Sequence, residues 1–287
     1  MRNSGLDWCV LVSVRNILAL VCLPLAAAGA DLSLSEILQR AGENQERAQK
    51  ARTAFVYEQR ILSRLHRGNG KLAREEEYQF LVTPTPTGIE KKRHQFRGKY
   101  EDSGKWHEYP EPHYQRKDVD IDGDLISDLT KDLTSDDESR DGISHDLFPL
   151  RATEQSKYDF TLLGREEYRG RDVYKLSFEP KKGGEASWEG EVLVDAGSLE
   201  PLVVTSHFAR KIPLLVRTML GTNVRHVGFK VTYAEQDGGV WFPAAYGGEF
   251  EVRAVFFYHR KFSLSLVNEG FRRAVSDATI TFGDEVQ

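Results

Sequence analysis

From Thr53 to the C-terminus the apolar positions recur mainly every second residue. Tyr78, Phe80 and Val82 alternate with Glu77 and Gln79, and Tyr174, Leu176 and Phe178 with Lys175 and Ser177. Val192 and Val194 alternate with Glu191 and Asp195, and Val227, Phe229, Val231 and Tyr233 with Gly228, Lys230 and Thr232. The series runs on through Phe256, Tyr258, Phe262, Leu264 and Leu266, and ends at Ile280 and Phe282. A period of two is that of strands with one buried and one wet face. Short turns separate them at Gly68-Asn69-Gly70, Arg169-Gly170-Arg171, Asp195-Ala196-Gly197-Ser198 and Asp237-Gly238-Gly239, with a further break from Pro180 to Gly184. Connections this short join antiparallel neighbours.

Before Thr53 the period is helical. Ser33 and Glu36 form a capping box, and Leu34, Ile37, Leu38, Ala41 and Ala48 make one apolar stripe opposite Gln39, Arg40, Glu43, Glu46 and Arg47. Residues 212–220 are apolar almost all round, with Pro213 suited to a first helical turn and Gly221 to its end. A short helix without a polar face is expected to lie buried against the sheet. The fold class expected is mainly β with few helices: about ten antiparallel strands in an unclosed half-barrel, with an N-terminal amphipathic helix and a short apolar lid or plug helix.

Residues 1–30 read as a signal peptide. Arg2 and Arg15 precede an apolar run over 17–28, and Ala28-Gly29-Ala30 supplies small residues for cleavage after Ala30. The run is too short for a comfortable membrane span, so no stable transmembrane anchor is expected, and the uncleaved anchor is the alternative. Both cysteines, Cys9 and Cys22, fall in this segment. Val21 before Cys22 is bulkier than a lipoprotein peptidase accepts. The mature chain then has no disulfide, thiolate nucleophile or cysteine metal site. The expected location is the periplasm or the extracellular space of a bacterium, with 31–287 as a single domain.

Charge adds two local features. The net charge of −5 becomes −6 on removing Arg2, Asp7 and Arg15, which argues against a nucleic-acid partner. Residues 118–146 carry eleven acidic groups against Lys131 and Arg140 and read as a mobile acidic insertion. The basic stretch 91–99 reads as a solvated loop. Asp118, Asp120, Asp122, Gly123 and Asp124 match the start of a calcium loop, but the closing glutamate position is Leu129.

Chemistry is sparse. The sequence has no nucleophile elbow, zinc helix, phosphate loop or dinucleotide glycine pattern. The histidines are scattered singly, and the nearest cluster, His107-Glu108 with His113, lies in a proline-rich loop. No cofactor or metal is expected, and the protein reads as a non-enzyme. Carboxylate pairs drawn from distant strands leave no sequence signature, so a secreted hydrolase stays open. Trp106, Trp188 and Trp241 suit a sugar platform or a core.

Three stretches carry a family resemblance: residues 170–181 (GRDVYKLSFEPK), 188–195 (WEGEVLVD) and 237–243 (DGGVWFP). With the leader, the amphipathic helix and the long meander, they resemble the bacterial lipoprotein-carrier superfamily of the LolA, LolB and RseB types. The resemblance implies an unclosed barrel whose concave apolar face, lidded by helices, holds an acyl chain, a lipid or a lipoprotein; it carries no individual residue role over. Leu215, Met219, Trp241, Phe256, Tyr258 and Phe262 are the expected ligand-binding residues. The alternative is a cell-envelope structural or interaction protein whose core is simply filled.

Overall fold

The structure is a computed structural model that describes residues 31–85, 89–134, 148–183, 188–208, 222–254 and 258–274. The leader, the apolar stretch 212–220 with Leu215 and Met219, Phe256, Ile280 and Phe282 lie outside the described residues. The capping box forms as the sequence dictates: the Ser33 hydroxyl accepts from the Glu36 amide, and the Glu36 carboxylate accepts from the Ser33 amide at 2.9 Å. Helix α1 (Leu34–Arg52) follows and buries Ile37, Ala41 and Ala48. Leu34 and Leu38 are half-buried at its edge.

Eleven strands then make one antiparallel sheet: β1 (Phe55–Arg67), β2 (Leu72–Pro84), β3 (Ile89–Asp102), β4 (Lys105–Tyr109), β5 (Tyr158–Tyr168), β6 (Arg171–Pro180), β7 (Trp188–Asp195), β8 (Pro201–Phe208), β9 (Thr222–Gln236), β10 (Val240–Ala254) and β11 (Tyr258–Arg273). Their spatial order is β4-β3-β2-β1-β11-β10-β9-β8-β7-β6-β5. The sheet is open, with β4 and β5 as its two edges. Helices α2 (Ile121–Thr134) and α3 (Ala152–Gln155) lie between those edge strands in sequence.

Alternation sorts the side chains onto two faces. On β1, Phe55, Tyr57, Gln59, Ile61, Ser63 and Leu65 are buried, while Glu58, Arg60 and Arg64 are exposed. The register carries the buried set sideways to Tyr78 and Val82 on β2, Phe262, Leu264 and Leu266 on β11, and Tyr246 and Phe250 on β10. Helix α2 packs over β1 and β2 on this face, and Ala51 near the end of α1 joins its Phe55–Tyr57–Val82–Val240–Phe242 cluster. Among the described residues, no helix is long and apolar enough to cross a membrane.

Two sequence expectations are corrected here. The basic stretch 91–99 is not a loop but the body of β3. Its cations are tolerated because β2 presents carboxylates opposite them: Lys99 pairs with Glu75 at 2.8 Å, and Arg97 stands opposite Glu77. Over its described part the acidic stretch is not a solvated excursion but holds a helix, α2, packed on β1 and β2. Helix α2 belongs to the connection from β4 to β5 and lies on the buried face of β1 and β2.

Candidate functional site

Helix α2 is fastened to the apolar face by polar groups. Its buried positions are Gly123, Leu125, Ile126, Ser127, Thr130 and Thr134, so small and hydroxylated residues dominate the underside. Thr130 and Thr134 donate their hydroxyl hydrogens back to the carbonyls of Ile126 and Thr130, so neither hydroxyl is left unsatisfied under the helix. The Thr130 and Ser63 hydroxyls lie 2.6 Å apart.

The N-terminal end is held by two charge clusters. Arg74 of β2 is 1% exposed, and its guanidinium donates to Asp120 at 2.8 Å, to the Tyr109 hydroxyl at 2.6 Å and to the Tyr114 carbonyl at 2.6 Å. Glu76, fully buried beside it, accepts from Tyr109 at 2.7 Å and from Tyr78 at 2.5 Å. Arg116 lies 3.3 Å from the other Asp120 oxygen. Burial, then the negative Glu76, pushes the Tyr78 and Tyr109 phenols up, so both stay protonated as donors. Burial pulls Arg74 down, but Tyr109, Glu76 and Asp120 outweigh it and keep the guanidinium charged. Gly98 makes room for this cluster, because a Cβ there would stand 2.1 Å from the Tyr109 ring.

The second cluster is Asp122 with β11. Arg260 donates to its two carboxylate oxygens at 2.9 and 3.1 Å, and the Tyr258 hydroxyl donates at 2.7 Å. At the other end of the helix, the Lys91 ammonium donates to the Thr134 carbonyl at 2.7 Å, where a cation suits the helix C-terminus. Burial lowers the Lys91 pKa to about 8.

These contacts also dispose of the calcium-loop geometry. Asp120, Asp122 and Asp124 face Arg74, Arg260 and Gln115 respectively, and the helix begins at Ile121 in place of a loop. Among the described residues, no three His, Cys, Asp or Glu side chains gather as a metal would require. His107 is stacked on Tyr100 at 5.2 Å.

The expected ligand residues are placed as follows. Phe262 is fully buried on the helix-covered face, in a ring series with Phe250 at 5.8 Å, then Phe229 at 5.0 Å, then Tyr246 at 5.2 Å. Tyr258 belongs to the Asp122 cluster, with the Arg260 guanidinium 4.6 Å above its ring. Trp241 is buried elsewhere, under Arg171 at 5.4 Å, and its carbonyl accepts from Arg52 of α1. Trp188 packs edge-on against Phe229 at 4.8 Å, whereas Trp106 is exposed.

Sequence reasoning passed over Arg74 and Glu76, left Tyr109 in the proline-rich loop and read Asp122 as part of an incomplete calcium loop. One signal was available: the alternation Tyr78, Phe80, Val82, extended two steps back, puts Glu76 and Arg74 on the buried face with opposite charges.

The opposite face is polar. Grooves of about 670, 600 and 490 Å³ open there, bordered by such side chains as Arg64, Lys230 and Glu249 in the first and Glu77 and Arg97 in the second.

No family model matches the chain, and no curated protein matches it. Solved structures do. A LolA-superfamily protein from Nitrosomonas europaea is 12% identical, with 88% of this chain and 99% of that one covered at a TM-score of 0.37. A putative outer-membrane lipoprotein-sorting protein domain from Vibrio parahaemolyticus is 12% identical, with 84% and 95% covered at 0.39. A DUF1329-family protein from Desulfovibrio piger is 16% identical, with 85% and 95% covered at 0.34. The likeness is to LolA-type chains, and it is distant. At TM-scores below 0.5 it adds no weight to the functional reading, which rests on the geometry above.

Near α1, Glu200 is buried and accepts from Gln45 at 3.0 Å. Burial pushes its pKa up to about 7, above its ordinary 4.5. A raised carboxyl favours the protonated folded state, so its contribution to stability is full below about pH 4.5 and is lost as pH rises through 7. Wild type should therefore lose stability between pH 5 and pH 8, and Glu200→Gln should flatten that loss by roughly 1–2 kcal/mol. Urea unfolding at the two pH values checks this; parallel pH dependence in both proteins would contradict it.

Proposed function

We propose that the protein is an exported envelope protein that binds an apolar ligand, an acyl chain, lipid or lipoprotein, on the helix-covered face of its sheet. Helix α2 is the displaceable cover. The observation that carries this reading is the mismatch between face and cover. An apolar and aromatic face that extends across β1, β11, β10 and β9 is overlain in part by a helix whose buried apolar side chains are Leu125 and Ile126 alone. Few apolar contacts and polar fastenings at both ends are features of an element that opens at low cost. A ligand on this face would meet Phe262, Phe250, Phe229 and Leu264; Leu215, Met219 and Phe256 stand as sequence-based candidates. Export through a leader cleaved after Ala30 remains part of the proposal, with lipid or envelope protein as the partner.

One observation favours a second reading. The ring series from Phe262 to Tyr246 is closely spaced, as in a filled core, and that suits an envelope structural or interaction protein. Two measurements separate the readings. Native mass spectrometry of protein purified from the cell envelope should find a co-purifying acyl lipid, and titration with a fluorescent acyl ester should saturate at one ligand per chain. A protein that carries no lipid and shows no saturable uptake has a filled core.

A further inference from the structure

Tyr246 lies at the middle of the helix-covered face, opposite Leu266 of β11 and Val231 of β9. Its ring runs nearly parallel to Phe229, at 18° and 5.2 Å. Phe229 stands opposite Gly248, and a Cβ on that glycine would come within 2.6 Å of the Phe229 ring. The two rings thus meet beside a position that must stay without a side chain. The Tyr246 side chain is 2% exposed or less, and its hydroxyl has no hydrogen-bond partner among the described residues.

That hydroxyl is an exception on its own face. Tyr78, Tyr109 and Tyr258 each donate to a carboxylate at 2.5 to 2.7 Å. A buried hydroxyl without a partner carries a desolvation cost with no return, and phenylalanine would fill the same space without it. The hydroxyl also holds its proton firmly, since burial raises the phenol well above its ordinary pKa. Its neighbours across the strands, Leu266, Val231 and Phe229, have nothing with which to pair a charge. An acceptor brought here must be uncharged, because an unpaired buried charge costs far more than a neutral carbonyl.

We propose that the Tyr246 hydroxyl is a ligand-binding donor to a neutral carbonyl, so that the ligand is an ester- or amide-linked acyl chain. This rests on the binding reading of the preceding subsection and narrows its ligand class, excluding plain hydrocarbon and the free carboxylate. Ester carbonyls come from glycerolipids and amide carbonyls from N-acylated peptides, and the two sources are separable.

The test compares wild type with Tyr246→Phe in the full chain against three probes: a pyrene-labelled alkane, a pyrene-labelled diacylglycerol and a labelled N-acyl lipopeptide. The variant should match wild type in unfolding midpoint or exceed it. It should bind the alkane as wild type does, and one or both carbonyl probes roughly 3- to 10-fold more weakly. The probe that shows the loss names the source. Equal affinity of variant and wild type for every probe overturns this inference alone and leaves the binding reading standing. A lowered unfolding midpoint overturns it too, because the hydroxyl then has a partner within the protein. Wild type that binds none of the probes overturns the binding reading and this inference with it.

Discussion

Joining α2 to β1 through a Ser63→Cys/Thr130→Cys disulfide should abolish acyl-ester uptake, and reductant should restore it. The two hydroxyls are 2.6 Å apart, which brings the side chains to a separation a disulfide can bridge. The chain has only Cys9 and Cys22, so replacing both with serine leaves the engineered pair as the sole thiols. This crosslink pins the C-terminal half of the helix and replaces no residue of the Arg74 and Asp122 clusters at its N-terminal end. If α2 must lift for a ligand to reach Phe262 and Leu264, the oxidised protein should bind at least about tenfold more weakly, a difference of about 1.4 kcal/mol. The same preparation after reduction is its own control. Oxidised protein that takes up ligand at the wild-type level would show that α2 is a fixed part of the core.

Arg74→Met should cost about 3–5 kcal/mol of stability. Methionine approximates the volume of the arginine stem, but the change leaves Glu76 and Asp120 buried without their shared cation. It also removes three directed hydrogen bonds. Arg74→Lys should recover only part of the loss, because one ammonium cannot reach Tyr109, Asp120 and the Tyr114 carbonyl in the geometry of a guanidinium. Urea unfolding gives the magnitude, and hydrogen exchange gives the location: amides of residues 121–134 should lose protection before those of β1. A variant within about 1 kcal/mol of wild type would mean that these charges are better hydrated than their burial implies.

Much of the sheet was legible because most of its strands bury one face and wet the other. Tyr174, Leu176 and Phe178 are buried with Lys175 and Ser177 between them only half so, as a period of two requires. The strands that escaped notice include β3 and β4 at one edge, β5 at the other and β8 between. On β3 both faces carry long charged side chains, and the cross-strand partners that make this tolerable, such as Glu75 for Lys99, are more than twenty residues away in sequence. Helix α2 was hidden differently. Leu125, Ile126, Leu129 and Leu133 recur at helical spacing, but they stand among the four aspartates of the helix and read as part of an acidic run. What decides the matter is Arg74, an isolated cation on a distant strand that draws Asp120 out of water. The site was less legible still. Phe262 could be assigned to the buried face by parity, whereas Trp241 shares its aromatic character and sits elsewhere. The unpartnered Tyr246 hydroxyl has no sequence signal at all, since it depends on which neighbours fail to reach it.

Nine of the ten pairings among the described strands join strands adjacent in sequence; the tenth, between β1 and β11, brings together distant parts of the chain, as Phe55 with Arg273. Folding can therefore proceed as two separate meanders, β1 to β4 and β5 to β11, each built from local hairpins. Neither meander has its full neighbours until the final described strand is in place. Loop closure over such a separation is slow and must precede the contacts that reward it. The pairing of β1 with β11 cannot form until β11 has been synthesised. Under the export proposed above, that late closure would suit a polypeptide threaded unfolded through a translocon.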